Sequence, residues 1–523
     1  MTYNRSGFLI ALLCSFFLVP TAAARVSVNV PIGHWAYNAV DKLTGLGLIQ
    51  INMGATKPWT RMEMARLALA AKHKLEGALP ETDEKEPTSK GRWDIIRAIV
   101  GRLEHEFRAE LDELTGGAET STYIKPIEDV YVHYLYGDNH VDIENDKGQE
   151  LAKDSNVRAG FSTHGLVFSH FGYYLNPEYR YSEGQFGGDD DRIDLLEGYG
   201  KVEWFNMEFE AGRDSLWWGP GRHGSLILTD NAQSFDLVKF SNPRPVVLPW
   251  FFEYLGLFKV VAFWTELEKN RAIPEAELMG YRFHFKPFPL LDIGVSRTIM
   301  LGGKGGAKGA ADLSLSDWAK VLSGKNISGD LDTNQIGGFD FEFLIPHVNR
   351  WVPMMQSISL WGEWYGEDEA GGMPSKEGYV AGLKFSDLLL TGRTDLILEY
   401  ADNAISGRPG LWYSHGTYQT GYRYEGEIMG HNMGGDARDY FLRLDHCLSP
   451  DLSLGLDYNG QQRGVEADTQ EDRDRIDLDL TYQGLDGLLL RAGYRYEAID
   501  NLGQVQGEDE TNNILWLSLD YSF

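Results

Sequence analysis

From Arg475 to Tyr482 the chain alternates without a break: Ile476, Leu478, Leu480 and Tyr482 are apolar, while Arg475, Asp477, Asp479 and Thr481 are polar. A period of two is the period of a β-strand, whose successive side chains point to opposite faces. The stretch therefore reads as a strand with one apolar and one hydrated face. The same alternation runs through Leu452–Asn459, Leu490–Tyr496 and the final Leu515–Phe523. A sheet wet on one side could belong to a soluble sandwich. Two details favour a membrane barrel instead. The polar faces are charged, as a hydrated lumen would be, and Tyr and Trp sit at strand ends, where an aromatic girdle meets the lipid boundary. The 26 Tyr, 25 Phe, 14 Trp and 59 Gly suit such an antiparallel, turn-rich architecture. Roughly 400 residues at about 22 per strand and connection predict about 16–20 strands, with 18 favoured. The expected fold is thus mainly β: a large antiparallel transmembrane β-barrel over 116–523, preceded by a small N-terminal helical module.

The start of the chain predicts export. Arg5 precedes the apolar run Phe8–Val19, and Pro20 and Thr21-Ala22-Ala23-Ala24 follow. These are the parts of a secretory signal peptide, read over 1–24 with cleavage after Ala24. A retained anchor would need a longer run, and Cys14 has Leu13 rather than a small residue before it, which argues against lipidation. Removal of the leader leaves Cys447 alone, so no intrachain disulfide can form. No later run of 18 apolar residues exists, so no helix is expected to span a membrane. The 77 acids against 48 bases, a net charge of −29, exclude nucleic acid as a partner. The terminal Phe523 after alternating apolar residues resembles the C-terminal signature of Gram-negative outer-membrane proteins. The predicted location is the cell outer membrane, with lipid as a partner and the N-terminal module in the periplasm.

Residues 25–75 read as two short amphipathic helices. Ala36, Ala39, Val40, Leu43 and Leu46 share one face of the first, which Gly45 and Gly47 close. The second opens at Thr60 with Glu63 three places on, the capping-box spacing, and its expected buried stripe is Met62, Ala65, Leu69 and Ala70. The stretches VPIGHWAYNAVDKLTGLGLI (30–49) and KPWTRMEMARLALAA (57–71) resemble the S-layer homology module, which has an HWA start to one helix and a TRAE-like start to the next. A single copy is present, and the insert between the helices is degenerate at 51–56. The resemblance implies binding to peptidoglycan or a wall-linked glycan, with Trp35, Arg61 and Glu63 at the motif positions, and helix position places Arg61 on the exposed start of the second helix. The alternative is a small helical plug without a ligand.

Residues 76–115 read as a polar linker and then an amphipathic helix over 92–114, where Ile96, Ile99, Leu103, Phe107, Leu111 and Leu114 recur every three or four places. This helix could form a coiled-coil spacer that makes a homo-oligomer, or fold onto the first module or the barrel.

Chemistry-bearing motifs are absent: there is no G-x-S-x-G elbow, H-E-x-x-H, cysteine pair for zinc or Walker loop. No catalytic residue, metal site or cofactor is predicted. Gly302–Gly309 lacks the G-K-[ST] ending of a phosphate cradle and reads as an extracellular loop. Asp189-Asp190-Asp191, with Asp194 nearby, reads as an acidic solvated loop and does not match a calcium-binding EF-hand. One region stands out. Gly212–Gly221 contains Arg213, Trp217 and Trp218 ahead of a Pro-Gly turn, and Ser225–Ala232, with Asp230 and Asn231, follows. Aromatic faces pack on pyranose rings, and carboxylate and amide oxygens accept hydroxyl protons. Arg213, Trp217, Trp218, Asp230 and Asn231 are therefore the candidate glycan site, with the two Trp rings as an exposed platform. The competing reading places both rings in a girdle or in a lumen plug.

This stretch, together with Leu278–Phe283, Lys286-Pro287, Leu291–Arg297 and Gly430–Tyr440, resembles the Wzi-type capsule-assembly family over roughly 122–523. The resemblance implies a lectin-like outer-membrane barrel that holds capsular or surface polysaccharide and is not an enzyme. The N-terminal region departs from the simplest members. The expected function is binding or organising a surface polysaccharide, with the wall as tether. A wall-tethered general diffusion porin is the alternative, and a glycan-active enzyme comes third.

Overall fold

The computed structural model describes residues 25–50, 52–78, 87–117, 122–139, 141–183, 190–323, 329–370 and 373–523. The leader read over 1–24, and Asp189 of the acidic run, lie outside the described residues.

Among the described residues, four helices precede the sheet: α1 (Trp35–Gly45), α2 (Arg61–Ala78), α3 (Pro87–Glu106) and α4 (Arg108–Leu114). His34 caps α1, its ring nitrogen accepting from the Ala36 N–H at 3.3 Å. Thr60 caps α2 as its spacing predicts, Oγ1 accepting from the Glu63 N–H at 3.1 Å. The buried face of α2 includes Met62 and Ala65 as expected but is wider and turned away from Leu69 and Ala70. Met64, Ala65, Leu67, Ala68, Ala71 and Leu75 are buried, whereas Leu69 and Ala70 are only half-buried. The helix is enclosed on two sides, by its own module and by the barrel wall, and so buries more than one stripe. The single helix expected over 92–114 is broken at Phe107 (φ −105, ψ 28). Its apolar stripe does not await a second copy. Ile95, Ile99, Leu103, Phe107 and Leu111 share one buried cluster with Val40, Leu43, Ala65 and Ala68.

Eighteen antiparallel strands, counted over the described residues, close a barrel. The first strand runs in two pieces, Tyr123–Lys125 and Asp129–Gly137, and the last is Glu510–Ser522. They pair from Ser522 with Asp129 to Ile514 with Gly137, which seals the sheet and leaves no edge. The alternation has its physical counterpart across the wall. Ile476, Leu478 and Leu480 are 50%, 45% and 42% exposed on the outer face, and Arg475, Asp477 and Asp479 point inward between them. An apolar band of this kind would cost about 25 cal/mol per Å² against water, whereas lipid hydrocarbon solvates it. The strands join by tight turns at one end, such as Phe205-Asn206 and Asp486-Gly487, and by long connections such as 215–234, 302–333 and 403–436 at the other. Exposed Trp204, Phe205, Trp250, Phe251, Tyr254 and Trp351 ring the short-turn end as an interfacial girdle.

Phe523 closes the wall at that same end. Its N–H donates to the Glu128 carbonyl at 2.9 Å, and its ring stands edge-on to Tyr521 with centroids 4.9 Å apart. Deleting Phe523 removes a largely exposed ring without opening a cavity. The expected outcome is a folding-competent chain that fails to insert, read as loss of the heat-modifiable band on gels and degradation before the membrane. Normal insertion of the deleted chain would show that the terminal ring is dispensable.

Candidate functional site

The long connection 215–234 does not lie on the rim but folds down into the lumen. Two inward carboxylates of the wall catch its backbone. Glu363 accepts from the N–H groups of Gly221 (3.3 Å) and Leu226 (2.9 Å), and Glu399 from those of Arg222 (2.7 Å), His223 (2.9 Å) and Gly224 (3.2 Å). Gly219 has φ +138, and a Cβ there would lie 2.2 Å from a Glu363 oxygen, so only glycine fits. The connection 403–436 enters beside it. The Tyr413 and Tyr422 hydroxyls donate to the carbonyls of Leu226 (2.7 Å) and Ile227 (2.8 Å). Trp218, Leu226, Leu228, Tyr422 and Met429 belong to one buried apolar cluster.

This arrangement corrects the exposed platform expected of the tryptophans. Trp217 is 5% exposed and Trp218 0%. Both pair as a short strand with Lys57 and Thr56 of the N-terminal module. Trp218 meets Phe263 edge-on at 5.4 Å, and Lys57 Nζ stands 5.3 Å from the Trp217 ring centroid. Burial, with Arg222 adding to it, pulls the Lys57 ammonium down to about 8. The five candidates do not gather in one place. Arg213 lies on the outer face of its strand and forms a two-pronged pair with Asp236 (2.8 and 2.7 Å), whereas the tryptophans, Asp230 and Asn231 lie inside. Asp230 and Asn231 are buried, and their backbone carbonyls accept from Lys147 (2.7 Å) and Gly148 (2.8 Å) of the neighbouring connection. Burial pushes the Asp230 carboxyl up to about 6, against the pull of Lys147. His431, from the motif stretch Gly430–Tyr440, is also enclosed, and burial lowers its imidazole to about 4.

The helical module enters the lumen from the short-turn end. Asp41 meets Arg222 (2.8 Å) and Lys384 (2.5 Å), and Lys42 meets Asp395 (3.1 Å). Burial works to raise the Asp41 carboxyl, but Arg222 and Lys384 outweigh it and hold the group well below the usual carboxylate range. Thr56 Oγ1 accepts from Arg282 Nε at 2.6 Å. Asn29 donates to Glu210 and Asp214, both at 2.9 Å, and accepts from Lys201 at 2.7 Å. The three motif residues fare differently. Trp35 is half-buried beside His34. Arg61, expected on an exposed helix start, is buried among Glu106, Glu110 and Glu128, each at 2.9 Å. Glu63 is also buried, paired with Lys259 of the wall at 3.1 Å. Helix position alone predicted exposure for Arg61; α4 and the first strand cover it.

The two plugs fill the lumen unevenly. Inward charges such as Lys201, Glu210, Arg282, Asp340 and Glu399 are buried, whereas Arg443, Asp457, Asp477, Asp479, Arg491 and Arg495 on the opposite arc are only half-buried. Between that arc, α3 and the connection 143–149 lies a chamber of about 1000 Å³. The chamber was not legible in the sequence, because it arises from what the plugs leave unfilled. Among the described residues no group of three or more His, Cys, Asp or Glu is placed to hold a metal ion.

The family described as capsule assembly protein Wzi matches residues 139–514. The solved structure of Wzi from Escherichia coli, described as a carbohydrate-binding β-barrel involved in group 1 capsule assembly, superposes with a TM-score of 0.68 at 19% identity. That match covers 95% of this chain and 99% of the other. The superposed share exceeds the barrel alone, so the likeness extends into the N-terminal helices that the sequence had set apart. An uncharacterised 55.8 kDa protein of the cps region of Klebsiella pneumoniae is 28% identical over 226 residues, 42% of this chain and 43% of that relative's length.

Two substitutions test these placements. Arg61→Ala leaves three carboxylates without their shared cation, and loss of one partner from such a buried set costs about 3–5 kcal/mol. The expected outcome is a module that loosens, read as new protease cleavage within 25–115 of the intact protein. Trp218→Ala opens a cavity in the plug at a cost of about 3–5 kcal/mol, read as a lower temperature for conversion of the heat-modifiable band. An unchanged conversion temperature would place Trp218 outside the packed plug.

Proposed function

This chain belongs to the Wzi capsule assembly family, and on that premise we propose that it is a lectin-like outer-membrane barrel that binds and organises a capsular or surface polysaccharide without transforming it. The single observation that carries this reading over a diffusion porin is the doubly plugged lumen, where the Trp217–Trp218 strand of one plug pairs with Thr56–Lys57 of the other. A porin needs a water-filled path, and this path is crossed by a hydrogen-bonded ladder.

In this reading the long-loop end faces outward and the short-turn end, with the helical module, faces the periplasm. Trp217, Trp218, Asp230 and Asn231 serve glycan binding from beneath, by fixing the loops whose outer surfaces meet the polymer, and Arg213 with Asp236 offers charged groups at the rim. The tether to peptidoglycan is the finer part. The module's position at the periplasmic end and the half-buried Trp35 support it, while Arg61 and Glu63 serve it only by holding the helices together.

The test has two arms. Purified protein in planar bilayers should show no large stable conductance; porin-sized openings would favour the alternative. Cells lacking the protein should release surface polysaccharide into the medium and regain retention on complementation. Unchanged retention in the deleted strain would overturn the polysaccharide reading.

A further inference from the structure

Inside the chamber the wall presents a flat aromatic surface. In the register of the strands Glu471–Leu485, Leu488–Asp500 and Glu510–Ser522, Asp479 pairs with Gly493 and Gly493 with Trp516. All three face inward, on the opposite side from Leu478, Leu480, Leu515 and Leu517. A Cβ at Gly493 would lie 2.3 Å from Trp516 Cε2 and 2.6 Å from its Nε1. The indole therefore lies across the bare glycine, flat on the wall, with its other face turned to the chamber. It is half-buried, unlike the enclosed Trp218.

Charged and hydroxyl groups surround this platform. Arg495 meets Asp477 at 2.7 Å, Arg491 meets Asp520 at 3.3 Å, and Asp479 accepts from Arg443 at 3.1 Å. The Nε atoms of Arg491 and of Arg102, across the chamber on α3, have no acceptor. On the far side from the short-turn end, Glu144 pairs with Arg475 and Arg495 and Asp146 with Arg158 (2.7 Å), which roofs the space. Toward the short-turn end the lining reaches exposed residues, Gly101 and His105 of α3 and Gly484 to Asp486 of a turn.

We propose that Trp516, with Asp477, Asp479, Arg491 and Arg495 around it, is a subsite for a neutral oligosaccharide entering from the short-turn end. The proposal rests on the reading of the barrel as a carbohydrate binder and assigns it a second site, inside the lumen. A chamber of about 1000 Å³ matches the upper size of small-molecule sites. The C–H face of a pyranose packs on an indole, and its hydroxyls donate to carboxylates and accept from guanidinium N–H groups. Neutrality follows from charge. Ten Asp and Glu side chains line the chamber against six Arg and Lys, and the wall's guanidiniums already face carboxylates. An anionic chain is repelled.

Full-length protein in detergent is titrated calorimetrically with maltohexaose, chitohexaose and hexagalacturonate. At least one neutral probe is expected to bind, with millimolar affinity, and hexagalacturonate is not. Trp516→Ala should weaken that binding about tenfold or more, in line with the worth of one aromatic stacking surface. Gly101→Trp should do the same by filling the mouth, and Gly101→Ala should change nothing, because a Cβ at Gly101 meets only open space. Heat-modifiable migration checks that each variant is folded; if Trp516→Ala is not, Gly101→Trp carries the test, since it leaves the wall intact. Neutral binding that survives in the folded variants overturns the chamber subsite while leaving a carbohydrate site on the outer loops. Equal binding of hexagalacturonate overturns the ligand class. Absence of binding by every probe overturns the subsite, and retention of polysaccharide by cells then decides the wider reading on its own.

Discussion

A barrel wall that alternates apolar and charged residues must do something with every charge it turns inward. In a lumen filled with water those charges are hydrated; in a lumen filled with protein each must find a partner or cost several kcal/mol. Much of this molecule follows from that requirement. Lys259 of the wall is answered by Glu63 of α2, Lys384 by Asp41 of α1, and Arg282 by Asp340 together with Thr56. Asn29 alone serves Lys201, Glu210 and Asp214. The N-terminal segment is therefore part of the electrostatic interior of the barrel, joined to it by ion pairs and polar contacts, while its apolar contacts with the wall are few: Cys447 packs on its main cluster, and Val28 packs with Tyr174 and Tyr199.

The same requirement explains why the loops come in. Among the described residues no wall cation forms an ion pair with the inward carboxylates Glu363 and Glu399, and five backbone N–H groups of 221–226 take that place. An oxygen that accepts several backbone hydrogen bonds fixes a loop's path more tightly than a single salt bridge does, since the donors are spaced by the chain itself. With 221–226 anchored, Trp217 and Trp218 are drawn under the loop, and the aromatic residues of 403–436 close over it.

The fold was legible because its signal is local. Period-two alternation at 452–459, 475–482, 490–496 and 515–523 places strands, and division of the remaining length gives a count that the closed barrel meets. Capping at Thr60 is local too. Burial of Arg61 was not legible, since its three carboxylates come from residues 106, 110 and 128, and no spacing links them to the helix start. A lumen plug was open as the competing reading of Trp217 and Trp218, but its anchors were hidden for a similar reason: they lie about 140 to 180 residues further along the chain. One signal was available. Trp412, Tyr413, Tyr418, Tyr422, Met429 and Met433 are far more apolar bulk than a solvated connection carries, and their density marks 403–436 as a buried insertion rather than a surface loop.

The uneven filling of the lumen also follows from where the charges find partners. On the arc from the strand Ala437–Cys447 to the strand Glu510–Ser522, the wall pairs many of its own charges, Arg443 with Asp457, Arg495 with Asp477 and Arg491 with Asp520, between neighbouring strands, and Glu144 of the connection 143–149 adds to Arg475 and Arg495 at the roof. Charges that neutralise one another along the wall need no plug, and the solvent contact they keep lowers their desolvation cost. On the other arc, several wall charges are completed only by groups from the helices or the loops. Protein is held where the wall needs it and absent where the wall does not, so the pattern of pairing divides the lumen into a dry half that blocks passage and a wet half that remains accessible from the short-turn end.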